Sequence, residues 1–198
     1  MQNRAMTARA LGIALFAALL LGGCSKRAGE SPEVAAKRFY DFYLAEPINN
    51  GLPSIEQCRQ MAPILSRGLQ DAIGRARREQ DKYISEHPGE KPPWSEGDLF
   101  TSLYEGATAY EIASVDPGEK HTDVVVKLTH ESRGHRVAWT DRLVLVREND
   151  RWVVENVEYG GTWDFANQGD LLKWLAPMQL EPEETTPAPA ATPPPVDG

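Results

Sequence analysis

The order of the secondary-structure signals in this 198-residue chain predicts an α+β fold. Three stretches, residues 121–131, 136–147 and 151–159, are rich in Val, Leu, Trp and Thr, which favour pleated strands. Ser132-Arg133-Gly134 and Glu148-Asn149-Asp150 separate them with residues that tolerate tight reversals. All the longer helical patterns come earlier in the chain. We therefore expect one domain, with N-terminal helices packed on a curved, four-stranded antiparallel sheet.

Residues 1–23 have the pattern of a lipoprotein signal peptide. Two arginines precede an apolar run over Ala10–Leu21, which is too short to span a bilayer comfortably. Small residues then precede Cys24, whose thiol can take a diacylglycerol. An ordinary signal peptide with an incidental cysteine is the alternative. We expect Cys24 to be lipidated and residues 24–30 to tether the domain close to its membrane.

Charge and cysteine content restrict the partners of the mature chain. The formal charge is −8, and removal of Arg4 and Arg9 with the signal peptide makes it −10. Such a balance argues against binding nucleic acid. If Cys24 carries lipid, Cys58 has no intramolecular partner, so no disulfide is expected. Ser25, directly after Cys24, resembles the outer-membrane sorting pattern of enteric bacteria, which implies the outer rather than the inner membrane, with the domain in the periplasm.

Three helices are expected before the sheet. Ser31 and Pro32 form the start of the first, Ser54–Ala62 is a short second one, and Ser66 caps a longer third. Helical spacing predicts the following inward residues: Val34, Ala35, Phe39, Phe42 and Tyr43; Ile55, Cys58, Met61 and Ala62; and Leu69, Ala72, Ile73, Ala76, Tyr83 and Ile84.

The sheet is expected to begin with a strand over residues 107–115, after a helical turn from Asp98 to Tyr104 that brings Leu99, Phe100 and Leu103 against it. Asp141 shares the parity of Trp139 and Leu143, so either a carboxylate faces the core or cleft or a β-bulge shifts the register. Near Glu155-Asn156, a bulge would put Trp152, Val154, Val157 and Tyr159 on one face. The indole of Trp152 is expected to fill the junction between sheet and helices.

Residues 160–177 are expected to close the domain. Gly160-Gly161 turns the chain, and a short helix is expected from about Asp170. The aromatic residues Trp163, Phe165 and Trp174 are expected to cover an end of the sheet. Residues 178–198 are acidic and rich in Pro and Ala, which predicts a disordered tail.

Several of these motifs together resemble a known family. They are the segment ending at Cys24, the Phe39-Tyr40-Asp41 and Leu65-Ser66 steps, Trp139-Thr140-Asp141, and the run from Trp152 to Gly161 with Tyr159 near its end. In this order they resemble small bacterial lipoproteins of uncharacterised function typified by YbjP, over about residues 31–176. The resemblance implies a nuclear-transport-factor-2-like cone, often with a pocket, and no accepted catalytic residues.

Among the potentially reactive side chains, one acid is a candidate for catalysis. Enzymes with the cone that the resemblance implies, such as ketosteroid isomerases and dehydratases, use an acid or His inside the cavity. Asp141, with Trp139, Tyr104 and Tyr110 as further pocket candidates, could therefore serve as a base; a structural aspartate is the alternative. His130 and His135 could approach one another at a hairpin, but no third ligand is visible and no metal is expected.

The sequence therefore favours a lipid-anchored, non-catalytic binding or scaffolding domain of the cell envelope. Its partner would be an envelope protein or a small apolar ligand, and no cofactor is expected. One alternative is an immunity-type protein that binds a toxin. The other is a small isomerase- or lyase-like enzyme with Asp141 in its cavity.

Overall fold

The computed structural model describes residues 29–48 and 50–177. The signal peptide, Cys24, most of the tether and the tail lie outside these residues. The helices are α1 (Pro32–Ala45), α2 (Ile55–Met61), α3 (Arg67–Glu86) and α4 (Leu171–Trp174), and the strands are β1 (Ala109–Pro117), β2 (Thr122–Ser132), β3 (His135–Glu148) and β4 (Arg151–Glu158). The α+β class is thus confirmed, as helices packed on a four-stranded antiparallel sheet in one domain.

The sheet is an antiparallel meander in the order β1-β2-β3-β4. Arg133 and Gly134 turn the chain between β2 and β3 with positive φ angles, and Asn149 and Asp150 do so between β3 and β4. Paired positive φ values match the right-handed twist of the strands they connect. Both breaks that the sequence indicated are therefore hairpin turns.

A β-bulge in β4 resolves the conflict of parity in that strand. Val144 pairs with Asn156 and Leu145 pairs with Val154, so Glu155 is the additional residue. Val154 and Val157 are consequently both buried. The bulge is at the predicted position, whereas a second one between Ile112 and Ser114 in β1 was not predicted.

The first three helices begin where the sequence predicts. The hydroxyl groups of Ser31, Ser54 and Ser66 each accept a hydrogen bond from a backbone N–H in the first turn of α1, α2 and α3, respectively. Asp170 caps α4 in the same way. These caps depend on local sequence alone, which is why they can be predicted without the tertiary structure.

The inward faces of the helices are predicted only in part. Val34 is exposed because it lies opposite the buried stripe of α1, which instead includes Tyr40. Ile55 in α2 is exposed as well. In α3 the last buried residue is Ala76, and Ile84 lies two turns beyond it, in the exposed C-terminal part of the helix. For these three residues the prediction of burial was wrong.

Three further expectations change in detail. Residues 98–104 form an irregular loop instead of a helical turn, although Leu99, Phe100 and Leu103 are buried as expected. Trp152 is only partly buried, so it fills less of the junction than the sequence suggested. Cys58 is half-buried and has no disulfide partner among the described residues. No helix within the described ranges is long and apolar enough to span a bilayer.

Candidate functional site

The four pocket candidates from the sequence do not share one pocket. Tyr110 and Trp139 border a depression of about 430 Å³ over β1–β3. Asp141 contributes to a smaller one of about 160 Å³ beside β4. Tyr104 lines a third cleft, of about 640 Å³, at the end of the domain where α4 lies. The fold therefore separates residues that the hypothesis of a single cavity had grouped.

Asp141 is 1% exposed and accepts four hydrogen bonds. Its Oδ2 accepts from the backbone N of Ser102 at 2.8 Å and from Trp139 Nε1 at 2.9 Å. Its Oδ1 accepts from Ser102 Oγ and from the backbone N of Gly160 at 2.9 Å. Both oxygens are thus occupied by donors from three separate segments of the chain. In this arrangement the carboxylate joins β3 to the loops that precede β1 and follow β4.

A second buried carboxyl group, Asp98, joins the same loops to α1. Its Oδ2 accepts from the hydroxyl of Tyr43 at 2.5 Å, and its Oδ1 accepts from the backbone N of Phe100 at 2.6 Å. The Tyr43 oxygen in turn accepts from the backbone N of Ala107 at 2.9 Å. Burial raises the pKa of Asp98 to about 7, and the nearby Asp141 carboxylate adds to this effect.

Asn167 connects the two loops directly. Its side-chain amide donates to the carbonyl oxygen of Asp98 at 2.9 Å and to that of Thr101 at 2.7 Å. The backbone N of Gly161 also donates to Ser102 Oγ at 2.9 Å. Residues 98–106 and 160–170 are therefore fixed to each other by buried polar contacts. Parts of both segments, residues 103–105, 163 and 165–167, line the third cleft together with Trp174.

This third cleft, which we call the aromatic cleft, is lined mainly by apolar side chains. Its residues are Leu103, Tyr104, Glu105, Trp163, Phe165, Ala166, Asn167 and Trp174. Three of its aromatic side chains face solvent to a large extent: Phe165 is 89% exposed, Tyr104 49% and Trp174 42%. Contiguous exposed aromatic surface of this kind is uncommon on soluble proteins and is typical of binding sites.

Most of the aromatic walls are held in place by specific contacts. Trp163 packs edge-on against the buried Trp139, with ring centroids 5.9 Å apart. Trp174 donates from Nε1 to Gln168 O at 2.8 Å, and Trp94 donates to Trp174 O at 2.7 Å. Tyr104 donates to a Glu96 carboxylate oxygen at 2.8 Å. Phe165 extends from this ordered frame into solvent.

The sequence did not identify the aromatic cleft. The aromatic residues after β4 were expected to cover the sheet, and this is wrong for Phe165, which covers nothing. Of the cleft residues, only Tyr104 was a pocket candidate.

A smaller groove of about 280 Å³ lies between α2 and α3. Its walls are mainly apolar and comprise Ile55, Cys58, Met61, Leu65, Gln70, Ile73, Gly74 and Arg77. Burial raises the pKa of Cys58, so its thiol stays protonated and poorly nucleophilic at neutral pH. The groove suits a small apolar molecule better than it suits covalent chemistry.

The histidine pair near the β2–β3 hairpin does not assemble. In the register of the sheet His130 pairs with Val137, and His135 pairs with Ser132. His130 Nδ1 lies 2.7 Å from the carbonyl oxygen of Gly106. Within the residues that the structure describes, no group of three or more His, Cys, Asp or Glu side chains is placed to hold a metal ion.

Comparisons with known proteins add one structural likeness. No protein-family model matches this chain, and no curated protein matches it. Among solved structures, a chain of the type VI native effector–immunity complex Tae3–Tai3 from Ralstonia pickettii is similar at 18% identity, with a TM-score of 0.40. The match covers 68% of this chain and 97% of that chain. The α+β assignment therefore rests on the chain's own helices and sheet.

Proposed function

We propose that this protein is a lipid-anchored, non-catalytic binding domain of the cell envelope that holds a protein partner in the aromatic cleft. The observation that carries the proposal is Phe165, 89% exposed above a frame of ordered aromatic side chains. Aromatic residues dominate the binding energy of protein interfaces because they bury a large rigid area at low entropic cost.

The energetics of Phe165 fit a binding role. A fully exposed phenylalanine forgoes about 1.5–3 kcal/mol that its burial would contribute. A partner side chain that covers Phe165, Trp174 and Tyr104 recovers this free energy. Because Trp163 and Trp174 are already fixed by contacts within the domain, little further ordering is needed when the partner binds.

Charge indicates which partner would fit. The chain carries a net charge of −8, and Glu105 and Asp164 lie beside the exposed aromatic side chains. A basic partner with a protruding apolar side chain complements this surface, and electrostatic attraction would speed its association. In the immunity-type form of this function the basic partner is a toxin, and the domain neutralises it by binding.

The alternative of an enzyme with Asp141 as its base has weaker support. A general base needs an oxygen within reach of the substrate proton. Both oxygens of Asp141 instead accept two hydrogen bonds each from the protein, and its side chain is enclosed. Breaking these contacts to admit a substrate would cost the domain its connection between β3 and the flanking loops.

The membrane anchor is part of the proposal and rests on the sequence pattern that ends at Cys24, together with the resemblance to small lipoproteins with a nuclear-transport-factor-2-like cone. Cys24→Ser should abolish acylation, because only a thiol can form the thioether. Metabolic labelling with a fatty acid and partition into detergent measure this. A serine variant that still takes up label contradicts the anchor.

Photo-crosslinking tests whether the cleft binds a protein partner. It is done in cells of the kind that naturally make this protein. Full-length protein with p-benzoylphenylalanine in place of Phe165 should form an adduct with one protein, which mass spectrometry identifies. The same probe in place of Ile84, an exposed apolar residue on α3, is the matched control and should not form that adduct.

Binding of the purified partner then decides the proposal. Phe165→Ala should weaken binding at least tenfold, because a central aromatic anchor contributes about 2 kcal/mol or more. Ile84→Ala should leave the affinity unchanged. Equal affinities for wild type and the Phe165 variant would exclude the cleft as the binding site. If the partner is a toxin, the wild-type domain should also inhibit it.

A further inference from the structure

The end of the described chain lies beside the aromatic cleft. Trp174, in the last turn of α4, lines the cleft. Leu175 is buried against the core, and Ala176 and Pro177 return to the surface next to it. The described chain therefore ends at the edge of a surface rich in exposed aromatic side chains, and 21 further residues, 178–198, follow in the sequence.

The sequence of these residues contains a segment suited to such a surface. Residues 187–195 read Pro-Ala-Pro-Ala-Ala-Thr-Pro-Pro-Pro and carry no charge. Segments of this composition favour the polyproline II conformation, which has three residues per turn and no internal hydrogen bonds. Pro187, Ala190 and Pro193 share one face at this spacing. The acidic residues Glu181, Glu183, Glu184 and Asp197 lie outside this segment in the sequence.

We propose that residues 187–195 dock in the aromatic cleft of their own chain as a polyproline II segment. Proline-rich segments bind grooves whose walls are aromatic, because flat rings pack against pyrrolidine rings and the stiff segment loses little entropy on binding. The cleft offers Tyr104, Trp163, Phe165 and Trp174 for this contact. The absence of large apolar residues in the segment makes the contact weak enough to be reversible.

The distance that the chain must span does not limit this docking. Nine residues, 178–186, connect the end of the described domain to Pro187, and they reach up to about 30 Å when extended. Trp174 is only three residues from Pro177. A short connection of this kind gives an effective concentration in the millimolar range, so a contact too weak to form between separate molecules is populated within one chain.

Docking of the segment would regulate partner binding in the cleft. This consequence, unlike the docking itself, rests on the proposed function. A segment that occupies the cleft competes with the protein partner and is displaced by it. Removal of the proline rings should therefore tighten partner binding severalfold. The docking itself is measured on the purified chain without any partner, so its failure is distinguishable from failure of the proposed function.

The test uses the purified full chain with p-benzoylphenylalanine in place of Phe165. Irradiation should attach residue 165 to a peptide from the 187–195 segment, in the band that migrates as monomer. Glycine at Pro187, Pro189, Pro193, Pro194 and Pro195 should reduce this adduct severalfold. Pro182→Gly, outside the segment, is the matched control and should leave it unchanged.

Four outcomes would overturn the proposal. The first is that no tail peptide is attached to residue 165, and the second is an equal yield of tail adduct when the probe replaces Ile84. The third is an adduct yield that the five glycine substitutions leave unchanged. The fourth is an adduct found only in the dimer band. The last would assign the cleft to the tail of a second copy. Because all the proline substitutions lie outside the described domain, loss of the adduct cannot be attributed to loss of the fold.

Discussion

Ser102 and Asp141 are 39 residues apart in sequence and are joined by two hydrogen bonds. The backbone N of Ser102 donates to Asp141 Oδ2 at 2.8 Å, and its hydroxyl donates to Oδ1. The same hydroxyl oxygen accepts from the backbone N of Gly161. One side chain thus connects the loop before β1 to β3 and to the segment after β4. Ser102 directly precedes Leu103, which lines the aromatic cleft.

Replacing the Asp141 carboxylate should weaken the fold. Asp141→Asn keeps the shape but turns one acceptor into a donor, which would face donors that are already in place. We expect a loss of about 1–3 kcal/mol in the free energy of unfolding, measured by urea denaturation. Asp164→Asn, at an exposed position beside Phe165, is the control and should change stability little. An Asp141→Asn variant with unchanged free energy of unfolding would show that these buried hydrogen bonds do not stabilise the fold.

Stability should fall as the pH rises from about 4 to about 7. The pKa of Asp98 is raised to about 7 in the folded protein, from 3.8 for an ordinary aspartate. In this window the folded state holds more protons than the unfolded state, so the stability present below pH 4 is lost as the pH rises through 7. The full effect is up to about 4 kcal/mol.

Asp98→Asn isolates this contribution from the other carboxylates. An amide has no proton to lose in this range, so the difference in unfolding free energy between wild type and variant should change steadily between about pH 4 and pH 7 and level off above it. Denaturation curves at several pH values measure it. A constant difference across the window would mean that Asp98 titrates normally in the folded protein.

Burial determines the cost of truncating two aromatic residues. Trp152 is only partly buried, with the Arg147 guanidinium 5.4 Å above its ring. Trp152→Ala should therefore cost about 1–3 kcal/mol, below the ~3–5 kcal/mol of a fully buried aromatic residue. Phe39 is buried on α1 against Tyr40 and Phe100, so Phe39→Ala should cost that larger amount. Thermal and urea unfolding should rank the two variants in this order.

Replacing two glycines with alanine should change the free energy of unfolding in opposite directions. A Cβ at Gly160 would collide with the backbone oxygen of Thr140 beside the Asp141 site, so Gly160→Ala should cost at least about 2 kcal/mol. At Gly74, inside α3, a Cβ would meet only the flexible end of Arg78 at 3.5 Å. Gly74→Ala should stabilise the protein by about 0.5–1 kcal/mol, because alanine loses less entropy in a helix. Urea denaturation of both variants measures the two changes, and changes of the same sign would contradict the prediction.

Local sequence accounts for the elements and most of their boundaries. Serines 31, 54 and 66 begin three helices because their hydroxyls bond to backbone groups only three residues away. The hairpin turns follow from residues that tolerate positive φ. Even the bulge at Glu155 could be predicted, because two valines of opposite parity both require burial. Each of these features is decided within a few residues of chain.

The tertiary structure decided which apolar and polar side chains have partners. Helical spacing placed Val34, Ile55 and Ile84 inward, but an amphipathic stripe is buried only where another element lies against it. The alternation of β3 left two possibilities for Asp141, a carboxylate that faces the core or cleft or a β-bulge that shifts the register. It could not supply Ser102 or Gly160, which belong to other segments of the chain.

The sequence by itself determined the α+β class, the meander, the helix starts and the expectation of a lipid on Cys24, because these depend on short-range backbone preferences and on one linear motif. Only the tertiary structure decided that Asp98, Asp141 and Asn167 converge, and that Phe165 faces solvent beside Tyr104 and Trp174. Convergence and exposure depend on contacts between residues tens of positions apart, and no local pattern encodes those distances.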